Sequence, residues 1–389
     1  MSTHGFRSHG SSELCRPSFF RFRFLVPNLQ GNVSSAFREI FDGRRPDRSR
    51  STSKETPMFC GQVTPRPYSP FRLIVRLALA WAIIGPGLGV RASAADFMYV
   101  SLDNSTIVRY DVSLATGTDI QNSANVFVPS GRGLNFPIGL AFDKAGNLYA
   151  ANSNGDTITR YDTSGNQIGT DFVPTGQGLN SPRGLAFDTV GNLYVSNGFG
   201  NTITRYDTSG NRIGTDFVPT GQGLSSPAGL AFDAAGNLYA SNIGNNTITR
   251  YDSSGNRIGT DFVATGEGLN GPYGIAFDTS GNLYAANHLG NTITRYDSSG
   301  NRIGTDFVPT GQGLVNPVGL AFDKSGNLYA ANLNNNTISK YNSAGVFQFS
   351  WSTPVSPRFL AFVPEPSTYV LGGLATALMA VIARRRRQA

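Results

Sequence analysis

Between residues 95 and 362 the apolar side chains fall in short runs rather than long stripes. The runs Gly184 to Asp188, Gly191 to Asn197, Asn201 to Asp207 and Arg212 to Val218 hold five to seven residues each. They are rich in β-branched and aromatic side chains and bounded by Gly, Asn, Asp or Pro, which predicts four short strands. Helices would need apolar positions sustained over ten or more residues at a 3.6 period, and no such stretch occurs here. The unit then recurs. The glycine of a P-x-G-[LI]-A-F-D motif stands at Gly139, Gly184, Gly229, Gly274 and Gly319, 45 residues apart each time. A fixed period of this size marks a repeat architecture.

The links between runs are of two kinds. D-x-x-G-N follows the first strand, as in Asp188 to Asn192, and D-[TS]-S-G-N follows the third, as in Asp207 to Asn211. Both suit tight turns in which Asp accepts from turn amides and Gly takes a positive φ. The other end of the unit carries a short second-to-third loop and a long fourth-to-first loop, such as Pro219 to Pro227. Four antiparallel strands per unit, in tandem, describe the blades of a β-propeller. The third-strand tyrosine appears six times, at 110, 161, 206, 251, 296 and 341, whereas the complete first strand appears five times. The sixth first strand is expected in Ser356 to Phe362, with Phe359 replacing Gly, because the repeat region opens directly on a second strand at Phe97. An all-β, six-bladed propeller over 95–363 follows, closed by pairing the C-terminal inner strand with the N-terminal strands, which leaves no exposed inner edge.

The pattern P-x-G-[LI]-A-F-D-x-x-G-N-L-Y-[AV]-[AS]-N followed by N-T-I-T-R-Y-D-x-S-G-N resembles the NHL repeat family over residues 97 to 362. Family members usually place Asp where this chain has Asn152, Asn197, Asn242, Asn287 and Asn332. No WD dipeptide ends the third strand, which separates the chain from WD-repeat propellers of similar period. The resemblance extends to gluconolactonase-like and streptogramin-lyase-like propeller enzymes, which implies a channel-mouth hydrolase or lyase as the alternative function. Their Glu, Asn and Asp metal ligands, or His and Glu set, find no acidic counterpart here.

Both ends depart from the repeat. Residues 1–70 are rich in Arg, Ser and Pro with no sustained apolar period, so they predict no packed core. Arg72 and Arg76 then precede the apolar run Leu77 to Ile84, and Ala92-Ser-Ala94 offers a cleavage site before Ala95. This is the three-part form of a secretory signal over 71–94. Met58 is the better start, since it brings that signal to the N-terminus. After Phe362 come Pro364, Glu365 and Pro366, an apolar run from Tyr369 to Ala383, and Arg384, Arg385, Arg386 and Arg387. Fifteen residues span about 22 Å as a helix, short of a roughly 30 Å hydrocarbon core, and cross it with local thinning and arginine snorkelling. The arginine block places the repeats on the outer side. The three parts over 364–389 resemble the PEP-CTERM sorting signal of exported bacterial proteins. The resemblance implies membrane anchoring, cutting by an exosortase-type membrane protease and delivery to the cell surface or extracellular matrix.

Charge sharpens this division. Residues 1–94, 95–365 and 366–389 carry net charges of +9, −6 and +4. The basic balance therefore belongs to the ends, and the mildly acidic repeats exclude a nucleic-acid partner. Both cysteines, Cys15 and Cys60, precede the repeats, so these hold neither a disulfide nor a thiolate metal site. No metal site and no cofactor is expected.

The repeated Asp residues have a turn-forming explanation, and Glu267, the one Glu of the repeats, stands where other units have Gln. Asn152, Asn197, Asn242, Asn287 and Asn332 are read first as capping their own loops, since Asn favours local backbone bonds, with a ligand-binding ring at the channel mouth as the functional alternative. Two places vary within the repeat. The residue between Pro and Gly reads Ile138, Arg183, Ala228, Tyr273, Val318 and Arg358, and the second-to-third loop includes Phe199, Ile243, His288, Leu289 and Leu333. Both lie opposite the Asp turns. They predict an exposed face of mixed apolar, aromatic and cationic character that binds an extracellular protein or polysaccharide rather than catalysing a reaction.

Overall fold

The computed structural model describes residues 96–363. The signal segment with Ala94 and Ala95, and Pro364 to Arg387, lie outside the described residues. Strands β1 (Phe97–Leu102), β2 (Thr106–Asp111) and β3 (Asn125–Val128) open the chain, with a short helix α1 (Gly117–Asn122) between β2 and β3. Four three-stranded sheets follow. The second holds β4 (Pro137–Phe142), β5 (Leu148–Asn152) and β6 (Thr157–Tyr161), and the third holds β7 (Pro182–Phe187), β8 (Leu193–Asn197) and β9 (Thr202–Tyr206). The fourth holds β10 (Pro227–Phe232), β11 (Leu238–Asn242) and β12 (Thr247–Tyr251), and the fifth β13 (Pro272–Phe277), β14 (Leu283–Asn287) and β15 (Thr292–Tyr296). A four-stranded sixth sheet contains β16 (Pro317–Phe322), β17 (Leu328–Asn332), β18 (Thr337–Tyr341) and β19 (Phe347–Ser352). The last strand, β20 (Pro357–Phe362), joins the first sheet in the order β20-β1-β2-β3. It runs antiparallel to β1, with Met98 opposite Phe362 and Val100 opposite Leu360.

The expectation of four strands in every unit is corrected in the second to fifth sheets. There the fourth run touches the third strand only at isolated bridges, such as Tyr206 to Arg212 and Ile203 to Val218. The reason is local. Gly214 takes φ 69° and throws the chain outward, and Arg212 Nη2 spans the loop to Asp216 Oδ1 at 2.5 Å. The strands β3 and β19 lack that glycine and pair as full strands, each with one register shift, between Ile107 and Val108 and between Lys340 and Tyr341.

Aromatic side chains hold neighbouring sheets together. Tyr194 of β8 meets Phe217 of its own fourth run at 4.8 Å and Phe232 of the next sheet at 5.1 Å, both edge-on. Tyr99, Tyr149, Tyr239 and Tyr284 repeat the arrangement. The first strands approach one another by backbone. A Cβ placed on Gly184 would stand 2.2 Å from the carbonyl oxygen of Ala228 in the next sheet, and Gly139, Gly229, Gly274 and Gly319 face equivalent carbonyls. Only glycine allows that approach, which is why all five complete first strands keep it. The Asp turns form as the sequence predicts. Asp233 Oδ1 accepts from the amides of Ala235 and Asn237, and Oδ2 accepts from Asn237 Nδ2 and the Tyr239 hydroxyl.

Candidate functional site

In the second to fifth sheets the first strand bulges between its proline and the residue after the glycine, so pairing jumps from Pro227 to Leu230, and in the sixth it shifts between Pro317 and Gly319. A bulge re-aims the side chain it carries. Ile138, Ala228, Tyr273 and Val318 consequently meet in a single core cluster with side chains of the first sheet. This corrects the expected exposed face. Ala228 and Val318 are fully buried, Ile138 is 4 % and Tyr273 9 % exposed. Apolar members of the variable series bury one another where the first strands converge, and Ile243 and Leu333 pack against the same cluster.

What remains reachable is a pocket of about 370 Å³ at the end opposite the Asp turns. Arg183, Arg358, Phe199, Tyr273 and Ile138 line it together with Phe136, Ser153, Asn154, Asp156, Asn180 and Ser181. Five predicted side chains are thus brought to one place. Leu289 is exposed and Val318 buried, and neither lines the pocket. The two variable positions of each unit compensate for one another. A Cβ on Gly198 would stand 2.3 Å from Arg183 Nε, so the glycine makes room for the arginine. Tyr273 instead packs beside His288, ring centres 6.0 Å apart. Arg358 has a counter-charge, donating from Nε to Asp103 Oδ1 at 2.5 Å and from Nη2 to Oδ2 at 3.1 Å, with Phe136 under its guanidinium at 4.8 Å. Arg183 differs. Its Nη1 donates to the neutral Ser226 Oγ at 2.9 Å, its guanidinium lies 5.6 Å from the Phe199 ring, and it makes no ion pair among the described residues.

Sequence reasoning missed Asp103, Asp156 and Gly198. The signal that finds Asp156 is a break in the period. At Asn201, Asn246 and Asn291 the asparagine Oδ1 accepts from a backbone amide of the following sheet's loop, each at 2.6 Å, and Asp156 does so from Ser181. A carboxylate therefore replaces a neutral amide at one junction only, and that junction is in the pocket.

The five asparagines at 152, 197, 242, 287 and 332 are fully buried, which corrects the channel-mouth ring. Asn197 Oδ1 accepts from the Asn180 amide at 3.1 Å while Nδ2 faces Thr202 Oγ1 and Thr204 Oγ1. The other four make the same loop-tying bonds, and Asn332 adds the carbonyl of Gly313. No amide atom is left over for a ligand. Glu267 supplies its backbone carbonyl to the Tyr296 hydroxyl, and its carboxylate makes no bond to that ring.

A larger cavity of about 490 Å³ lies at the Asp-turn end between the second and third sheets, lined by Tyr149, Arg160, Phe172, Phe187 and Asp188. It recurs between the next pair as about 420 Å³ around Tyr194, Arg205, Phe217, Phe232 and Asp233. A cleft that follows the repeat period is a product of sheet packing, whereas the Arg183 pocket occurs where the repeats differ.

Tyr273 of the pocket and His288 beside it, which is not part of the pocket lining, make no hydrogen bond to one another. Burial raises the Tyr273 phenol above its ordinary range, with Arg183 and Arg358 pulling it back. Burial lowers the His288 imidazole, against the hydrogen-bonding contribution of Asn316, and its Nδ1 is buried without a partner among the described residues. Among the described residues no three His, Cys, Asp or Glu side chains cluster as metal ligands. No helix of the described residues is long and apolar enough to cross a membrane.

Residues 362–387 match the PEP-CTERM protein-sorting motif. No curated protein matches the chain by sequence. Solved structures do match by fold. A chain of the crystallised nidogen/laminin complex aligns with TM-score 0.58 and 20 % identity, over 70 % of this chain and 99 % of that one. A Bacteroides caccae protein of unknown function gives TM-score 0.53 and 14 % identity over 70 % and 100 %. A catalytically inactive virginiamycin B lyase from Staphylococcus aureus, solved with quinupristin, gives 0.50 and 16 % over 70 % and 94 %. These likenesses concern the fold, which is of the β-propeller type.

Proposed function

We propose that the protein is an exported, surface-destined, non-catalytic β-propeller that serves as a binding or structural module. Its six sheets are blades of one closed ring, and the Arg183 pocket is the recognition site. The PEP-CTERM motif supports export and cell-surface sorting through an exosortase-type protease. In this reading Ala95 is the mature N-terminus, and the C-terminal apolar segment holds the protein in the membrane until it is cut near Pro364-Glu365-Pro366. Ring closure is supported by the β20 to β1 pairing. It is supported also by the Ser101 hydroxyl, which donates to the Ile138 carbonyl of the next sheet as Ser196 does to Ala228. The observation that carries the binding role is the pocket itself. Its floor is a buried tyrosine, its walls hold two arginines, and it lies where a uniform scaffold varies.

The test is to offer exported protein lactones and streptogramins with divalent metal, alongside titration of extracellular glycans and proteins. Saturable binding lost in Phe199→Ala, without turnover, supports the module. Metal-dependent turnover lost in His288→Ala establishes the hydrolase or lyase instead.

A further inference from the structure

The composition of the pocket narrows its ligand. Arg358 is neutralised by Asp103, so its charge is already satisfied. Arg183 leans on a hydroxyl and carries the cation left without a carboxylate partner. The pocket lining also includes Asp156, one of whose oxygens is held by the Ser181 amide while the other has no hydrogen bond among the described residues. Asn180 is exposed at the rim, and Phe199 presents a ring that is 73 % exposed.

We propose that this pocket binds an acidic sugar residue of the uronic-acid class, with Arg183 taking the carboxylate, Asp156 and Asn180 taking hydroxyls, and Phe199 covering an apolar ring face. The assignment rests on the binding-module reading above. One guanidinium outside any ion pair suits a single carboxylate, because charge-assisted bonds to Arg are strong and planar. Asp156 argues against a phosphate, whose second charge would face it, and in favour of a ligand that brings O–H donors. An aromatic face at the rim receives the C–H side of a pyranose, removing apolar area from water.

The experiment uses the exported protein and a panel of uronate trisaccharides, galacturonate, glucuronate and mannuronate, with their neutral counterparts and a tripeptide bearing a free C-terminal carboxylate. At least one uronate should bind tenfold or more tighter than its neutral counterpart, and Arg183→Ala should erase that preference. Arg183→Gln, which keeps a donor for Ser226, covers the case of a misfolded alanine variant and should give the same loss. Asp156→Asn should weaken binding several-fold with unchanged melting, since asparagine makes the same inter-sheet bond at three other junctions. Equal affinity for neutral sugars, tighter binding of the peptide, absence of uronate binding, or a preference that survives loss of Arg183 would each overturn the sugar class. If a competing ligand still depends on Phe199, the site stands and only its ligand changes; indifference to Phe199→Ala removes the site as well.

Discussion

The first sheet, assembled from both ends of the described chain, and the four sheets built from uninterrupted repeats pack the same way with unequal polar bookkeeping. In the third sheet Tyr206 is fully buried, and its hydroxyl donates to the Gln177 carbonyl of the long loop at 2.9 Å. Tyr161, Tyr251 and Tyr296 do likewise. In the first sheet Tyr110 is equally buried, yet its hydroxyl has no partner among the described residues. The cause is the connection that precedes β20. Only residues 353 to 356 separate β19 from β20, so the Gly-x-Gly loop whose middle residue offers the carbonyl elsewhere is missing. The first sheet relies instead on aromatic contacts, Tyr110 with Trp351 at 5.9 Å and Tyr329 with Phe362 at 5.5 Å, and on the Arg358 to Asp103 pair. Repetition satisfies polar groups uniformly, and the junction of the two ends compensates with packing.

The largest consequence concerns β20. Deleting residues 356–389 removes the partner of β1 and should cost about 4 kcal/mol or more, whereas deleting 364–389 should leave melting unchanged. Equal melting temperatures for the two truncations would show that the first sheet does not need its C-terminal strand.

Within the repeats, the crowded glycines are the corresponding weak point. Gly184→Ala would drive a methyl group against the Ala228 carbonyl, a backbone atom that cannot step aside, and should cost about 2 kcal/mol in chemical denaturation. A neutral outcome would mean that adjacent first strands separate freely.

The tyrosines sharpen the comparison in a single atom. Tyr206→Phe should destabilise by about 1 kcal/mol, because it abandons the Gln177 carbonyl, while Tyr110→Phe should be neutral or stabilising by a similar amount. Burial pushes both phenols up to about 12, so neither should ionise in spectrophotometric titration until well above pH 10.

Acid offers the smallest effect. Hydrogen bonds from the Asn211 side chain and backbone hold Asp207 below the ordinary carboxylate value of 3.8, and Asp252 and Asp297 are held down in the same way. A depressed folded pKa means stability present above the unfolded value and lost as pH falls through the folded one. The sixth sheet places Asn342 in the same turn, accepting from Ala344 and Val346 without a charge. Changing Asp207, Asp252 and Asp297 to Asn should therefore preserve the turns and reduce the drop in melting temperature below about pH 4. An unaltered acid profile would place the acid sensitivity elsewhere.

Much of this was legible in the residues. Period, strand runs and Asp turns depend on local chemistry, and so does the matching of Phe97 to Val100 with Arg358 to Phe362, since each strand reads as half of a unit. The fourth run misled because its β-branched residues surround a glycine whose positive φ is a backbone choice that composition does not display. The loop-capping role of the asparagines was legible as well, but the residues did not display how fully their partners, 17 residues back and 5 residues on, enclose them and so remove the ring at the channel mouth.

The sequence alone determined the repeat, the sheet-forming elements and the sorting motif, because these are written in contiguous residues. Tertiary structure decided which variable positions face solvent. The bulge turns Ile138, Ala228, Tyr273 and Val318 toward one another and buries them, while Gly198 opens space for Arg183 and Asp103 claims Arg358. Those outcomes depend on side chains tens to hundreds of residues apart in the chain, and only packing of the six sheets brings them within contact distance.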